Sequence, residues 1–383
     1  MRHHSSLFHQ LLQVVPWDRF GEIVAYHGAD RRVRRLTTKS QLVALMYGQL
    51  SGAQSLREIE QGLGSHAPRL YHLGVTQPAR STLADANAKR PAKVFADLFA
   101  VMTMSAGRGL RRHMREAVHL VDATSIRLTD VSRAWADYEA HGALVKVHVD
   151  FDAGCAIPAN IAITPARIND IVMAHTLPVE PGATYVFDLG YYDFSWWSRL
   201  DEAGCRIVTR LKTNTRPRVV EKRCVPADAP ITSDQIVTID QRLKGNRRNP
   251  LADVSLREIT VTIDKGRTLR LLTNDLDATA ESIAALYKAR WQVELFFRWV
   301  KQHLKIKHFL GTSENAIRAQ IAVALIVFVM LRLAAEASRA TSSLLSFVRL
   351  VRANLMHLRP LQDLDQPPPR RISDIRQQEL DLC

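Results

Sequence analysis

The first third of the chain carries apolar residues at the spacing of helices. Apolar side chains recur at helical intervals from Gln41 to Tyr47, which predicts a helix there. Ser55-Leu56-Arg57-Glu58 has the form of a capping box, in which the serine accepts from a backbone amide and the glutamate reaches back. Short helices are predicted from Leu56 to Leu63 and from Arg80 to Lys89. Residues 1 to 112 are therefore predicted to form an α-helical N-terminal domain.

The second short helix begins with Arg80, Ser81 and Thr82. A basic helix start that is rich in hydroxyl groups suits contacts with DNA, as in helix-turn-helix proteins. The loop before it is longer than in a standard helix-turn-helix, and an ordinary helical bundle explains the same pattern. These residues leave a DNA-binding domain and a structural bundle as alternatives.

The pattern changes to strands from Ala117 onward. Val118 to Val121 is a short apolar run that stops at Asp122, and Leu144 to Phe151 alternates apolar with polar residues, as a half-buried strand does. The next predicted elements are a strand from Ala156 to Ile163, a helix near Asp170 to Leu177, a strand from Tyr185 to Asp188, a helix carrying Trp196 and Trp197, and a strand from Arg206 to Leu211. Antiparallel strands come first and helix-connected strands follow, so the predicted fold class is α/β.

A polar and basic stretch separates these strands from the C-terminal helices. It holds short β-like pieces, which predicts a mainly β insertion at about residues 213 to 268. After a strand from Leu269 to Thr273, one long helix is predicted from about Ala278 to Leu304. The domains are predicted to be residues 1 to 112, residues 113 to 320, and residues 321 to 383 with C-terminal helices and a tail.

Composition narrows the classes of function. The chain has 383 residues, of which 46% are hydrophobic, and a formal net charge of +14. It can therefore bury a substantial core and attracts a polyanion or an anionic membrane. The best candidate for a membrane span, Ile321 to Leu331, ends at Arg332, well short of the roughly 20 apolar residues required. It is predicted to be a buried core helix, and no membrane partner is expected.

The N-terminus and the cysteines exclude further classes of protein. Polar residues stand at Met1 to Ser6, where a signal peptide would carry its apolar run, so the protein is expected in the cytoplasm, at the nucleoid. The four cysteines are far apart and form no C-x-x-C pair, which indicates neither a zinc knuckle nor a disulfide framework. The chemistry is therefore expected from carboxylates, histidines, hydroxyls and basic side chains.

Two aspartates, Asp122 and Asp188, each follow an apolar strand. Ligands of α/β sheets gather beyond the carboxyl ends of the strands, which makes both aspartates candidates for an active site. A lone aspartate at such a position more commonly stabilises a turn. Either residue taken separately fits both interpretations.

The predicted long helix carries a polar stripe of Tyr287, Arg290, Glu294 and Lys301. At about 100° per residue, these side chains fall within a sector of roughly 60°. An apolar stripe lies beside the polar stripe. One edge of the helix would therefore pack on the sheet, while the neighbouring edge would point its polar side chains toward one common place. The alternative is a solvated face with an Arg290–Glu294 pair worth a few tenths of a kcal/mol.

This stripe resembles a known signature. Tyr287-x2-Arg290-x3-Glu294-x6-Lys301 is similar to the Y-R-E-K signature of DDE transposases in the insertion sequence 4 family. Val121-Asp122-Ala123-Thr124 and Phe187-Asp188-Leu189-Gly190-Tyr191 resemble the two aspartate motifs of that family, in the expected order. Many relatives have an arginine where this chain has Leu189. The resemblance runs from the helical N-terminal region to Asn315 and covers most of the chain.

The resemblance implies a fold and an activity. The fold is a ribonuclease-H-like catalytic core interrupted by a mainly β insertion, with an α-helical N-terminal domain. The activity is DNA cut-and-paste transposition, in which Asp122, Asp188 and Glu294 hold two Mg²⁺ ions, or Mn²⁺ in their place. Water attacks at the end of the insertion sequence, and the freed 3′-hydroxyl then attacks the other strand or the target. The resemblance does not decide whether a DNA hairpin intermediate forms. Some relatives stabilise a flipped base with a tryptophan of the insertion, and this chain has no tryptophan between Trp197 and Trp291.

The resemblance also implies partners. They are double-stranded DNA, as terminal inverted repeats and as target, and a second copy of the chain in a homodimeric DNA complex. Arg290 and Lys301 would hold phosphates close to the cleaved bond, and Tyr287 would contact the terminal backbone. Arg80, Ser81 and Thr82 are the candidate DNA contacts of the N-terminal domain.

Two other functions remain open. A DNA-binding protein derived from a transposase would keep the basic surface and lose the chemistry, although all three carboxylates are present. Another nuclease on a ribonuclease-H-like core would use the same carboxylates, but it would not need the N-terminal helices or the polar stripe.

Overall fold

The structure is a computed structural model of the whole chain. It describes residues 5–110, 117–128, 137–139, 142–225, 230–240, 243, 247–263, 266–303, 309–340 and 342–364. The chain divides into two compact units, one of residues 1–102 with 315–383 and the other of residues 103–314. Residues from Asn315 onward thus group with the N-terminal helices, whereas the sequence led us to expect a separate C-terminal domain.

The described helices and strands follow one another as helical, then mixed, then helical segments. The helices are α1 (Leu7–Leu12), α2 (Trp17–Tyr26), α3 (Thr38–Ser51), α4 (Leu56–Gly64), α5 (Ala67–Leu73), α6 (Arg80–Lys89), α7 (Lys93–Leu110), α8 (Asp170–Ala174), α9 (Phe194–Glu202), α10 (Ala280–Ala289), α11 (Trp291–His303), α12 (Glu314–Ala337) and α13 (Leu344–Ala353). The strands are β1 (Val118–Arg127), β2 (Asp137–Glu139), β3 (Gly142–Asp152), β4 (Ile157–Pro165), β5 (Thr184–Phe187), β6 (Arg206–Arg210), β7 (Arg218–Lys222), β8 (Ile231–Thr238), β9 (Leu256–Thr262) and β10 (Thr268–Thr273).

The helical unit is held together by contacts between distant parts of the chain. The amides of Leu7 and Phe8 donate to the carbonyls of His357 and Leu355 at 2.9 and 2.8 Å. The Asn315 side chain donates to the Asn87 carbonyl at 2.8 Å and accepts from the Ala92 amide at 3.0 Å. These bonds satisfy backbone groups that would otherwise be unpaired.

The predicted cap of α4 forms with one difference. The Ser55 hydroxyl accepts from the Glu58 amide at 3.2 Å. The Glu58 carboxylate accepts from the Gln54 amide at 2.8 Å, whereas a capping box uses the amide of the capping residue. The helix starts where the sequence predicted.

Helix α12 passes through the core of the helical unit. Every residue from Ile321 to Leu331 is buried, as predicted. The whole helix is long and apolar enough to cross a membrane by length and composition, yet 83% of its most apolar window is buried inside the protein. Burial among other helices explains its composition.

The second unit is built on one sheet of ten described strands. The order is β2-β3-β1-β5-β6-β10-β9-β8-β7, and β4 also pairs with β3. The pairs β1–β3 and β3–β4 are antiparallel, whereas β1–β5 and β5–β6 are parallel. Strands β5 and β6 are connected through helix α9. Antiparallel strands therefore come first and helix-connected parallel strands follow, as predicted.

The predicted β insertion continues this sheet. Strands β7, β8 and β9 pair antiparallel in succession, and β9 pairs with β10, which pairs with β6. A buried ion pair joins β9 to β8, with two bonds of 2.8 and 2.7 Å from the Arg257 guanidinium to the Asp234 carboxylate. The insertion strands therefore belong to the same sheet as β1 and β5 and join it through β10 and β6.

The prediction of a single long helix from Ala278 to Leu304 is wrong in one respect. The structure has two helices, α10 and α11, with Arg290 between them. The Arg290 amide bonds to the Tyr287 carbonyl, and the Val293 amide bonds to the Arg290 carbonyl, both at 3.2 Å. Such bonds across three residues tighten the helix locally. Helix α10 packs on β5, β6 and β10, whereas α11 packs on β1. The break lets each helix follow its own part of the sheet. Leu304 lies outside the described residues.

Candidate active site

Asp122 and Asp188 come from neighbouring parallel strands. The parallel register of β1 and β5 ends at the pair Val121 and Phe187, and the two aspartates are the next residues. The prediction that the first strand ends at Asp122 is wrong, because β1 continues to Arg127 by pairing with β3. Asp188 does end its strand, and its Oδ1 accepts from the Gly190 amide at 2.8 Å. Both carboxylates therefore lie at the carboxyl end of the parallel pair.

Glu294 reaches the same place from α11. The buried side of this helix contacts the sheet, where the Phe296 ring lies 5.2 Å from the Phe151 ring. Phe151 pairs with Leu120, which shares a sheet face with Asp122 because side chains alternate along a strand. Glu294 is in the first turn of α11, above that face. One helix packing against β1 and β3 thus brings the third carboxylate to the two aspartates.

These carboxylates line one open cleft of about 460 Å³. The other lining residues are Ala123, Thr124, Arg290, Phe297, Arg298 and Lys301. The structure therefore brings together five of the residues that the sequence singled out, namely Asp122, Asp188, Arg290, Glu294 and Lys301.

The Arg290 guanidinium lies between two of the carboxylates. Its Nη1 is 3.1 Å from Asp122 Oδ2, and its Nη2 is 2.8 Å from Glu294 Oε1. The arginine side chain is only 12% exposed. The Arg290–Glu294 pair thus forms, but it is mostly buried and extends to Asp122 on another element. Arg290 acts as an internal counter-ion of the site.

Burial leaves Asp122 hard to ionise. Burial raises the pKa of Asp122 to about 6 from its model-compound value of 3.8, and the charges of Asp188 and Glu294 act in the same direction. The Ala123 amide, which donates to Asp122 Oδ1 at 2.8 Å, and the charge of Arg290 oppose this rise in pKa. A carboxylate with a raised pKa gains from a nearby cation.

The three carboxylates suit a divalent metal by their chemistry. Oxygen ligands favour Mg²⁺ and Mn²⁺. In the part of the chain that the structure describes, however, no three acidic, histidine or cysteine side chains stand close enough to form a metal-binding group. Arg290 bridges Asp122 and Glu294 instead. The oxygen ligands fit Mg²⁺ by their chemistry, and Arg290 supplies the positive charge between Asp122 and Glu294.

Lys301 and Tyr287 have different positions relative to the cleft. Lys301 lines it, and its Nζ donates to the Thr124 hydroxyl. Tyr287 is 9% exposed, and its ring centre lies 5.9 Å from the guanidinium carbon of Arg290. Burial raises the pKa of Tyr287, so the phenol stays neutral. Tyr287 therefore packs near Arg290 and is absent from the lining of the cleft.

Arg298 was not predicted as a site residue. This residue is exposed and lines the cleft, where it adds a positive charge. Its spacing was a usable signal, because it lies four residues after Glu294 and three before Lys301, which places all three near one helix face.

A second group of polar residues lies beside the site. His148 is 2% exposed, and its Nε2 is 2.8 Å from the Thr164 hydroxyl. Burial lowers the pKa of His148 to about 4, so this histidine is neutral. Lys146 Nζ lies 3.1 Å from Asp170 Oδ1. The two strand residues are therefore partnered within the protein, and His148 does not face solvent.

Arg80, Ser81 and Thr82 lie in the helical unit at the first turn of α6, and all three are exposed. The preceding Ala79 provides no side-chain cap, and the Arg80 amide donates to the Glu60 carboxylate at 3.1 Å. The side chains of this helix start are available to a ligand.

Comparison with known proteins places most of the chain in one family. Residues 114–330, more than half of the chain, match the transposase DDE domain, and residues 3–76 match a domain of unknown function, DUF4372. A putative transposase, y4zB, of Sinorhizobium fredii is 40% identical over 297 residues, which cover 76% of this chain and 82% of that protein. A probable transposase for the insertion sequence element IS5377 of Geobacillus stearothermophilus is 28% identical over 288 residues, or 74% of this chain and 73% of that protein.

A solved structure is also similar. It is a cryo-EM structure of a piggyBac transposase synaptic complex with hairpin DNA, with a TM-score of 0.47 and 12% identity, over 98% of this chain and 84% of that one. The assignment to a family rests on the domain match and on the 40% identical relative.

Proposed function

Because the chain belongs to the family of transposases with a DDE domain, we propose that Asp122, Asp188 and Glu294 are its catalytic carboxylates. The DDE domain implies a ribonuclease-H-like fold. One observation carries the proposal: two aspartates at the ends of adjacent parallel strands and a glutamate on a separate helix line one open cleft. A turn role explains each aspartate alone, but it does not explain their convergence with Glu294.

The proposed reaction is cut-and-paste transposition. The chain binds the terminal inverted repeats of its insertion sequence, cleaves at the ends, and joins the freed 3′-hydroxyl to target DNA. Asp122, Asp188 and Glu294 would hold two Mg²⁺ ions, whose chemistry would be activation of the attacking oxygen and stabilisation of the leaving oxygen. A homodimer in the DNA complex would bring the two ends together.

The basic residues of the cleft position the DNA in this proposal. Arg290, Arg298 and Lys301 all line it and would hold phosphates on either side of the scissile bond. Arg290 and Lys301 are the R and K of the Y-R-E-K signature, and their place in the cleft with Glu294 supports membership of the insertion sequence 4 family. Tyr287 would orient Arg290 from its buried position. In the helical unit, Arg80, Ser81 and Thr82 would contact the duplex.

The test is single substitution of each carboxylate. Asp122→Asn, Asp188→Asn and Glu294→Gln are each expected to reduce cleavage of end DNA with Mg²⁺ by about 10²- to 10³-fold, the typical loss when one group that stabilises transition-state charge is removed. DNA binding should persist, since no phosphate contact is removed. Cleavage is read on labelled duplexes and binding by mobility shift.

Asp253→Asn is the matched control, because Asp253 is an exposed carboxylate of the same unit, outside the cleft. It should cleave like the parent chain. Near-normal cleavage by any triad variant removes that residue from the proposal. A parent chain that binds end DNA but cleaves with neither Mg²⁺ nor Mn²⁺ would identify a DNA-binding derivative instead.

A further inference from the structure

The turn between α2 and α3 carries four arginines in five residues, Arg31, Arg32, Arg34 and Arg35. All four are exposed. Among the described residues, none of their guanidinium groups has an ion pair, in contrast to Arg19, which lies 2.8 Å from Glu22. Four neighbouring cations without counter-ions repel one another. Such a cluster gains most from a ligand with several negative charges.

The backbone of this arginine turn is fixed at both ends. Asp30 Oδ1 accepts from the amide and the hydroxyl of Thr38, both at 2.7 Å. At the other end Leu36 is 4% exposed, and its carbonyl accepts from the Arg90 guanidinium. Arg90 is itself held by Gln41, whose Oε1 lies 3.0 Å from Arg90 Nη1. The backbone that carries the four arginines is thus held in place by hydrogen bonds on both sides.

The arginine turn also holds an unusual backbone conformation. Arg32 has a φ of 66°, in the left-handed region that glycine and asparagine fill most readily. An arginine in this conformation is retained at an energetic cost, and residues of this kind concentrate at binding sites. Arg339 lies in the same region, with a φ of 52°, so this conformation alone does not mark a binding site, and the charge of the turn distinguishes it.

The arginine turn forms one wall of an open cleft of about 630 Å³. The other wall comes from α6 and the residues just after it, through Thr82, Asp85, Lys89 and Arg90. Six cationic side chains line this arginine cleft against the single carboxylate of Asp85, which already lies 3.7 Å from Lys89 Nζ. The cleft is therefore strongly positive.

We propose that the arginine cleft binds the sugar-phosphate backbone of double-stranded DNA without reading its bases. Arginine is well matched to phosphate oxygens, and phosphate contacts fix position and carry no sequence information. Sites for single strands add aromatic platforms on which bases stack, whereas His27 is the one residue with an aromatic ring among those that line this cleft. Thr82, at the exposed start of α6, lies in the same cleft. The proposed binding site for the DNA backbone is therefore next to the helix start that is proposed to contact DNA.

The inference gives a role to the N-terminal region, since residues 3–76 match a domain of unknown function. It rests on the proposed function in so far as the chain handles DNA. It does not depend on the cleavage chemistry, because phosphate binding by arginines needs neither the triad nor a metal.

The experiment measures binding of the full-length chain to a duplex of arbitrary sequence, by fluorescence anisotropy in EDTA over a salt series. The variant is Arg31→Gln with Arg32→Gln, Arg34→Gln and Arg35→Gln. Each phosphate contact contributes a slope of about 0.9 to log affinity against log salt. The slope should therefore fall by about two to four units, and the affinity at low salt by at least about tenfold. The fourfold Arg→Lys variant keeps the charge and should retain most of the slope.

A second fourfold variant is the matched control, Arg57→Gln with Lys93→Gln, Arg339→Gln and Arg349→Gln. These four residues are exposed in the same unit, lie outside the arginine cleft and have no ion pair among the described residues. The control changes the net charge by the same amount and should alter the slope by less than about one unit.

Several outcomes overturn the inference. They are an unchanged slope for the variant of the turn, an equal loss in the control, or a loss of binding confined to single-stranded DNA or to vesicles of anionic phospholipid. If the glutamine variant melts early, single Arg34→Gln and Arg35→Gln chains are each expected to lose about one unit of slope. Asp122→Asn should bind the duplex with the same salt dependence as the parent chain. A failure of the proposed cleavage function and a failure of DNA-backbone binding by the arginine cleft can therefore be told apart.

Discussion

At the scale of single residues, Arg290 decides how the candidate site behaves without DNA. Its guanidinium contacts Asp122 and Glu294 at 3.1 and 2.8 Å, and it thereby holds two of the three carboxylates that a divalent ion needs. In the proposed function, a divalent ion and Arg290 would therefore compete for the same oxygens. A DNA phosphate that attracts Arg290 would release both carboxylates at once, which would couple DNA binding to metal binding.

We predict that Arg290→Gln binds Mn²⁺ more tightly than the parent chain in the absence of DNA, by about tenfold or more, because an opposing charge within hydrogen-bond distance is removed. Isothermal titration calorimetry with Mn²⁺ measures it. Arg298→Gln is the control, since it deletes the same charge from the same cleft without freeing a carboxylate. Equal Mn²⁺ affinities in the Arg290 and Arg298 variants would show that general charge, and no specific bridge, sets the affinity.

The raised pKa of Asp122 predicts a pH dependence of stability. Its folded pKa of about 6 exceeds the reference value of 3.8, so the folded state favours the protonated form. The associated stability is fully present below pH 3.8 and is lost as pH rises through about 6, with an upper bound of about 3 kcal/mol. In EDTA, the difference in Tm between Asp122→Asn and the parent chain should therefore widen from pH 4 to pH 7. A constant difference would contradict the raised pKa.

At the scale of helices and strands, the sequence predicted the kind of each element better than its ends. The alternation along β3 was visible, but the half-buried strand it predicted is wrong, because His148 and Asp150 on the polar face are 2% and 0% exposed. The apolar run before Asp188 stops where β5 stops. The extension of β1 beyond Asp122 was not visible, since it depends on pairing with β3. The break at Arg290 was hidden as well, because arginine is a good helix former and the interruption follows from two helices packing on different strands. The spacing of Arg290, Glu294 and Lys301 fitted both a site and a solvated face, and the resemblance to a known signature joined them to Asp122 and Asp188. The bridge by Arg290 to Asp122 required the fold.

The buried ion pair of the insertion gives a prediction at this scale. Asp234 and Arg257 are each 4% exposed, so Asp234→Ala leaves a buried guanidinium without its partner. Removing one member of such a pair costs about 3 to 5 kcal/mol. Calorimetry should show a marked fall in the transition of the sheet-containing unit.

The double variant Asp234→Leu with Arg257→Met is the comparison. It removes both charges and should recover most of the lost stability. If Asp234→Ala melts like the parent chain, the pair contributes nothing to the joining of β8 and β9.

At the scale of the whole molecule, the helical unit is assembled from both ends of the described chain. Residues 1–102 and 315–383 form one compact unit, and backbone bonds join Leu7 to His357 and Phe8 to Leu355. The sequence could not reveal this grouping, because apolar periodicity reports which face of a helix is buried but not which distant helix covers it.

We predict that a fragment of residues 1–112 does not fold stably alone, because it lacks the buried helix α12 and the bonds to Leu355 and His357. Co-expression with residues 315–383 should restore a cooperative melt and DNA binding. Circular dichroism of the fragment, alone and in the complex, gives the comparison. A lone fragment that melts at the temperature of the complex would show that the C-terminal helices are dispensable.

The two-part helical unit has a consequence for synthesis. A ribosome adds about 5 to 20 residues per second, and domains usually fold as they emerge. Residues 103–314 separate the two parts of the helical unit, so at that pace roughly 10 to 40 s pass between their appearances. The unit with the carboxylates can fold first, while the helical unit waits for its last segment. A message cut short after residue 314 would therefore give a chain with its carboxylates in place and its helical unit incomplete.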